Sequence, residues 1–178
     1  MRLTEQEAAL AQLGGYIARA ENPRGMFENI GEMLITSTHH RFDRGVSPSG
    51  GPWPPSLRVI KHGGKTLILK ARLYRSLTYI ASATRLEFGT NVIYAAIHQF
   101  GGLIKQAARE AVLHFKTNKK TGVSRFAKPR KADRARKAQI GERTIHMPAR
   151  PFIGLDDADD RAIVKIGEDW IAGEGAGR

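Results

Sequence analysis

Residues 45–56 can form neither a helix nor a strand, and they divide the chain. The stretch reads Gly-Val-Ser-Pro-Ser-Gly-Gly-Pro-Trp-Pro-Pro-Ser, with four prolines and three glycines. Proline lacks the amide hydrogen that helices and sheets need, and glycine favours turns. Helical patterns precede this segment and short strand patterns follow it, which predicts an α+β fold. Trp53 is interpreted as an anchor that packs the loop on the core; the alternative is a stacking platform for a nucleic-acid base.

Two helices are predicted before the loop. The sequence Thr4-Glu5-Gln6-Glu7 matches a capping box, so an N-terminal helix is expected within residues 1–22. Pro23 suits the first position of a second helix, and Gly45 suits its end. The apolar face of that second helix is predicted to contain Phe27, Ile30, Leu34, Thr38 and Phe42.

Short strands and two more helices are predicted after the loop. Strands are expected at residues 66–69, in a hairpin of 77–81 with 86–88, and at 111–116 and 144–147, which we expect to pair with each other. A short helix is expected at 92–98. The last helix should begin at Asp156, bury Ile163, Ile166 and Trp170, and end at Gly173, leaving 173–178 as a frayed tail. Together these predict one domain, 1–178, with a mainly antiparallel sheet of about four short strands and packed helices.

The positive charge of the chain is concentrated in residues 116–137. The whole chain has 29 Lys+Arg and 17 Asp+Glu, a formal net charge of +12. Asp133 is the one acidic residue in this segment, which therefore carries nine of the twelve net charges. Its ten basic residues are Lys116, Lys119, Lys120, Arg125, Lys128, Arg130, Lys131, Arg134, Arg136 and Lys137.

This basic segment also has few large apolar residues, so it can bury little surface. We therefore predict that residues 117–141 are a mobile basic insertion, the tip of an elongated hairpin, with a helix over Lys131–Gln139 as one option. Such charge density indicates contact with an anionic partner, either nucleic acid or an acidic protein surface. The alternative is a charged loop that only aids solubility.

No enzymatic chemistry is evident from the residues. The chain has no cysteine, and it lacks the common zinc, phosphate-loop and nucleophile motifs. His98 is interpreted as a structural, hydrogen-bonded histidine, with a general base as the minor alternative. The acidic residues at 156–160 are interpreted as a helix start, with a calcium loop as the alternative. We predict no catalytic residue, metal site or cofactor. No apolar run approaches the ~20 residues of a membrane span, and the N-terminus lacks a signal-peptide core, so the cytoplasm is expected.

Two stretches carry a resemblance to a known family. Residues 89–102 read Gly-Thr-Asn-Val-Ile-Tyr-Ala-Ala-Ile-His-Gln-Phe-Gly-Gly, and residues 147–155 read Met-Pro-Ala-Arg-Pro-Phe-Ile-Gly-Leu. With the loop around Trp53 and the stretch 73–77, they resemble the phage virion morphogenesis family, the tail-completion proteins of Mu-like and P2-like bacteriophages and prophages. The motif residues, expected to be structural, are Trp53, Tyr94, His98, Phe100, Gly101, Gly102, Pro148, Arg150, Pro151 and Phe152.

The resemblance implies a structural protein of the virion neck or tail terminus, made in the host cytoplasm and without catalytic activity. It implies a ring, with six copies expected, that contacts tail-tube and head-connector proteins and no membrane; duplex DNA in the channel is a further candidate partner. The chain departs from the family at residues 70–72, Lys-Ala-Arg, where many members have a Thr-Gly pair. The alternative function is a sequence-independent nucleic-acid-binding protein that acts through the basic insertion. An enzyme that uses His98 is a third and weaker hypothesis.

Overall fold

The computed structural model describes residues 4–174, and the chain divides into two compact units. The first unit contains Met1–Gly101 and Pro148–Arg178, and the second contains Gly102–Met147. The described residues form six helices and seven antiparallel strands, so the predicted α+β class is confirmed. The strands belong to three small sheets rather than to one sheet of about four strands. None of the described helices is long and apolar enough to span a membrane. Residues 175–178 of the predicted frayed tail lie outside the described part.

The first unit holds all six helices. Their bounds are α1 Glu5–Glu21, α2 Arg24–Arg44, α3 Leu57–His62, α4 Arg72–Arg75, α5 Ala95–Phe100 and α6 Asp157–Ala172. The predicted capping box is confirmed, because the Thr4 hydroxyl accepts from the Glu7 amide and the Glu7 carboxylate accepts from the Thr4 amide. Gly45 ends α2 in the left-handed conformation, with φ of 69°. Pro23 precedes α2 as its N-cap instead of lying in its first turn.

One antiparallel hairpin completes the first unit. Strands β1 (Leu77–Ala81) and β2 (Leu86–Thr90) pair from Leu77↔Thr90 to Ala81↔Leu86, as predicted. The predicted strand at residues 66–69 is wrong, because Leu67 has φ of 63° and the segment turns. Helix α2 packs against both strands of the hairpin and against α6.

The core of the first unit gathers side chains that are distant in sequence. Its buried members are Phe42, Trp53, Leu73, Leu77, Val92, Ala95 and Phe152. The predicted face of α2 is confirmed at Ile30, Leu34, Thr38 and Phe42, all of which are buried, whereas Phe27 is half-buried. The predicted stripe of α6 is half-buried at Ile163, Ile166 and Trp170. The Trp170 indole donates to the Arg19 carbonyl across 3.0 Å, so it joins α6 to α1.

Ala71 occupies a conformation that favours glycine. It precedes α4 with φ of 55° and ψ of 18°, in the left-handed region. An L-residue with a Cβ atom pays about 1–2 kcal/mol there, because the Cβ atom approaches the following carbonyl oxygen. The turn at residues 70–72 therefore holds an alanine where a glycine would be unstrained.

A buried arginine connects α2 to the start of α6. Arg41 is 1% exposed, and its guanidinium donates to the Gly154 carbonyl at 2.7 Å and to the Asp156 carboxylate at 3.2 Å. It also forms an ion pair with Asp159, which is buried. Asp156 and Asp159 cap α6 reciprocally at its first turn. The amide of Asp159 donates to Asp156 and lowers the pKa of that carboxyl, and Arg41 lowers it further.

The burial of Arg41 predicts a large effect of its substitution on stability. Arg41→Met should lower the free energy of unfolding by about 3–5 kcal/mol, because it leaves the buried Asp159 carboxylate without its counter-charge. The double variant Arg41→Met, Asp159→Asn should recover part of this loss, since no buried charge then lacks a partner. Urea denaturation at pH 7 measures both values. Equal losses in the single and double variants would contradict this interpretation.

The second unit consists of antiparallel strands, four of which share one continuous register. Its strands are β3 Gly102–Gln106, β4 Arg109–Thr117, β5 Ser124–Phe126, β6 Arg134–Ile140 and β7 Arg143–Met147. Strand β3 pairs with β7 and β4 pairs with β6. Gln106 lies opposite Arg143 and Arg109 lies opposite Ile140, so the register continues across the breaks at 107–108 and 141–142. Residues 102–117 and 134–147 thus form one two-stranded ribbon, which β5 widens beside β4.

Three predictions about this region are wrong or unconfirmed. The predicted pairing of 111–116 with 144–147 is wrong, because β4 pairs with β6 and β7 pairs with β3. The predicted helix over Lys131–Gln139 is also wrong, since β6 begins at Arg134. The basic insertion at 117–141 is not confirmed as a loop: it contains β5, a short 3₁₀ turn at Pro129–Lys131 and β6. Backbone pairing with β4 orders a segment that has few apolar residues of its own.

Gly31 on α2 provides a second test of the packing. A Cβ atom added at Gly31 would overlap the Tyr79 ring at its Cγ atom. Gly31→Ala should therefore destabilise the fold by about 1–3 kcal/mol through overpacking, despite the better helix propensity of alanine.

Gly14→Ala on α1 is the matched control, because nothing lies within 4 Å of its added Cβ atom. This variant should keep or raise the melting temperature. A Gly31→Ala protein that melts no lower than the Gly14→Ala protein would show that α2 and β1 are not closely packed.

Candidate functional site

The motifs at residues 89–102 and 147–155 meet in one cluster of hydrogen bonds to the backbone. The Arg150 amide donates to the His98 carbonyl at 2.7 Å, which joins the segment after β7 to α5. The Gln99 side chain reinforces this junction: its amide group donates to the Ile153 carbonyl at 2.7 Å, and its oxygen accepts from the amides of Phe152 and Ile153. Residues 150–153 are therefore held along α5 by four hydrogen bonds from only two positions of the helix.

The proline-rich loop is fixed to the same segment from the other side. The Trp53 indole donates to the Pro151 carbonyl at 2.8 Å, and the Arg150 guanidinium donates to the Pro54 carbonyl at 2.7 Å. Trp53 is 6% exposed and meets Phe42 edge to face at 5.4 Å, which is the geometry of an anchor. Phe152 is fully buried and lies 5.2 Å from Phe42. These two side chains bond backbone carbonyls and so fix the proline-rich loop to residues 150–151.

His98 is half-buried at this cluster. Its ring meets Tyr94 edge to face at 5.8 Å, and its Nδ1 is buried with no hydrogen-bond partner in the described part of the chain. Burial lowers the pKa of His98, and the positive charge of Arg150 lowers it further. The structural role of His98 stays a prediction, because its backbone carbonyl and its ring packing, rather than a ring hydrogen bond, connect it to the cluster.

The remaining motif residues are more exposed. Gly101 ends α5 with φ of 71°, a conformation that a glycine adopts without strain. Phe100 is 79% exposed and Tyr94 is 40% exposed. Pro148 is half-buried, and Gly102 begins β3. The motif thus combines buried groups that build the core with aromatic side chains that face solvent.

Sequence reasoning missed two residues of this unit, Gln99 and Arg41. Gln99 lies inside the 89–102 motif, and its position next to His98 gave no sign that it would bond three backbone groups. Arg41 follows Thr38 by three residues and so falls on the predicted apolar face of α2. A charged residue on an apolar helix face, together with the aspartates that open α6, is the one sequence signal that could have predicted the buried ion pair of Arg41.

The acidic residues that open α6 act as a helix start. The Asp156 carboxylate accepts from the amides of Ala158 and Asp159, at 2.9 and 3.0 Å. Within residues 4–174, no group of three or more His, Asp or Glu side chains is placed to hold a metal ion. The interpretation as a helix start is confirmed for Asp156 and Asp159.

The basic residues of the second unit fall on both faces of the ribbon. In an antiparallel pair, residues directly opposite share a face and neighbours along a strand alternate. Lys116 lies opposite Arg125, and Lys137 shares their face, which we call the lysine face. Arg134 and Arg136 lie on the other face, opposite Phe115 and Leu113. We call this second face the aromatic face, because Phe115 and Phe126 stack on it at 5.0 Å.

A concavity at the end of the ribbon brings five of the ten bases together. It has a volume of about 960 Å³, and we call it the tip concavity. Its basic lining residues are Lys116, Lys119, Arg125, Lys128 and Lys131. Asp133 also lines it, but its carboxylate accepts from the Thr117 amide at 2.8 Å and so closes the turn between β5 and β6 onto β4. All ten bases of the segment are exposed, and none forms a salt bridge within residues 4–174.

Comparison with known proteins defines the class of this chain. The profile of the phage virion morphogenesis family matches residues 4–172, nearly the whole length, and the chain belongs to this family. It is thus a protein of phage virion structure and assembly. It is also 29% identical over 166 residues to a protein of Escherichia phage Mu described as capsid assembly protein G, covering 88% of this chain and 82% of that protein. No solved structure matches the chain significantly.

The position of His98 predicts a pH effect on stability. A histidine whose pKa is lowered in the folded state binds protons more weakly there than in the unfolded chain. Stability should therefore be retained above the usual histidine pKa of 6.5 and fall as the pH drops below it.

His98→Gln should remove this part of the pH dependence. Melting temperatures measured between pH 7.5 and 5 would show a shallower decline in the variant than in the wild type. His62→Gln is the control, because it makes the same substitution at an exposed histidine near the end of α3. Parallel curves for all three proteins would show that His98 does not titrate with folding.

Proposed function

We propose that this protein is a structural component of the virion neck or tail terminus. It completes the tail and helps to join the tail to the head as a ring of copies, after assembly in the host cytoplasm. The observation that carries this proposal is the family match over residues 4–172. The Mu relative, described as a capsid assembly protein, supports a role in building the particle.

The chemistry of the motif cluster supports a role without catalysis. The polar groups of Trp53, Gln99 and Arg150 bind backbone carbonyls and amides, which fixes the loop and the segment after β7. A catalytic site needs a nucleophile or base with a partner that orients it. The Nδ1 of His98 has no such partner among the described residues.

Exposed apolar side chains of the first unit support contact with protein partners. Helix α1 has no buried residue, and Leu10, Leu13 and Ile17 are 54–68% exposed along one side of it. Ile93 and Phe100, beside and at the end of α5, are 98% and 79% exposed. Exposed apolar patches on small proteins mark interaction sites. A subunit of a ring needs such exposed apolar surfaces, because it contacts a neighbour on each side.

The proposal is tested on purified particles. The chain should be present in few copies per infectious virion, and an antibody label should lie where head meets tail. Hosts that carry a phage with this gene inactivated should accumulate heads and tails that fail to join. Absence of the chain from infectious particles would overturn the proposal.

A pair of α1 variants separates assembly from folding. Leu10→Asp places a charge on the exposed apolar side and should lower incorporation into particles at least tenfold without lowering the melting temperature. Ala8→Asp, on the opposite side of α1, is the matched control and should assemble normally. Equal incorporation of both variants would show that this side of α1 meets no partner.

A further inference from the structure

We propose that the tip concavity of the ribbon is a binding site for the phosphate backbone of duplex DNA. This binding activity goes beyond the proposed role in tail completion. It requires neither a ring nor a position at the neck, so it can be tested on the purified chain.

The arrangement of charge within the strands leaves positive charge uncompensated. Lys116 and Arg125 are directly opposite each other across β4 and β5. Like charges in this position destabilise a sheet, so the pair is unfavourable in the free protein. Neither side chain forms an ion pair within residues 4–174. An anion bound between the Lys116 ammonium and the Arg125 guanidinium would attract both groups and so offset their mutual repulsion.

The tip concavity extends this pair into a site for more than one anion. Lys119, Lys128 and Lys131 line the same space of about 960 Å³, so five cations surround it. The carboxylate of Asp133 is engaged by the Thr117 amide, which directs it to the ribbon backbone. A net excess of positive charge in one concavity suits a repeating polyanion better than a single small anion.

The kinds of side chain present favour duplex DNA over single strands. Four of the five cations are lysines, which act as point charges toward phosphates and do not read base edges by themselves. Single-strand sites combine cations with aromatic rings on which bases stack. The aromatic ring at the tip, Phe126, alternates with Arg125 along β5 and is stacked on Phe115. Phe126 is the one aromatic side chain that lines the tip concavity, and its ring is already stacked on Phe115, so the concavity offers no succession of free rings for unpaired bases.

An acidic protein surface is the competing partner, and the geometry favours it less. Protein interfaces place apolar and aromatic side chains at their centre and exclude lysine. The tip concavity is lined by five cations, and its large apolar side chains are only Val123 and Phe126. Binding by phosphate contacts is independent of sequence and depends strongly on salt.

The experiment measures binding of the purified full-length chain to a fluorescent 20-base-pair duplex at several salt concentrations. Five phosphate contacts give a slope of log affinity against log salt of about −4.5, which is a loss of about 500-fold between 50 and 200 mM salt. Two duplexes of unrelated sequence should bind within about threefold of each other. The double variant Lys116→Gln, Arg125→Gln removes two contacts and should reduce the slope to about −2.7.

Arg134→Gln, Arg136→Gln is the matched control. It removes the same two charges from the same ribbon, but from the aromatic face and outside the tip concavity. The slope of this control should stay at the wild-type value. Because all four positions are exposed, both variants should melt no lower than the wild type, which confirms that they are folded.

Three outcomes would overturn the proposal. Equal reductions of the slope in both variants would show diffuse attraction by net charge, without a site at the tip. Tighter binding of an oligonucleotide single strand than of the duplex would show that base stacking on Phe126, rather than contact with duplex phosphates, carries recognition. No duplex binding at 50 mM salt, together with loss of self-association in the Lys116→Gln, Arg125→Gln variant, would assign the tip to a protein partner. None of these results bears on whether the chain completes tails, which virion incorporation tests separately.

Discussion

The buried charge of Arg41 is the constraint on which the architecture of the first unit depends. A guanidinium that is 1% exposed needs partners for its charge, and it takes them from Gly154, Asp156 and Asp159. Those three residues are the entry to α6, so satisfying the arginine also positions the helix start against α2. Because an unpaired buried charge costs several kcal/mol, few alternative placements of α6 are compatible with a folded chain.

The aromatic core and the hydrogen-bond cluster lie next to this contact between α2 and the start of α6. Phe42 follows Arg41 and meets Trp53 and Phe152, which arrive from the loop and from the segment before α6. Gln99 and Arg150 then fix the backbone of these segments to α5 and to the loop. One short region of α2 thus organises segments as far as 118 residues away in sequence.

The second unit is stabilised by a different kind of interaction. None of residues 102–147, all of which the structure describes, is buried, and a continuous register of backbone hydrogen bonds orders the unit instead. Such a ribbon tolerates a dense positive charge because its side chains reach solvent on both faces. The sequence composition, which led to the prediction of a mobile loop, reports on burial and not on strand pairing. Composition therefore locates the charge along the chain but does not reveal which strands pair.

The sequence by itself determined the helix caps at Thr4, Gly45 and Asp156, the β1–β2 hairpin and the family, because these depend on local spacing or on contiguous motifs. It also located the ten bases. Only the tertiary structure decided that Arg41 is buried against Asp159, that Gln99 binds the 152–153 backbone, and that β4 pairs with β6. These contacts join residues far apart in the chain, and no local pattern encodes which distant strand or carboxylate will come into reach. The division of the bases between two faces follows from that register, since one residue of slip would exchange the faces.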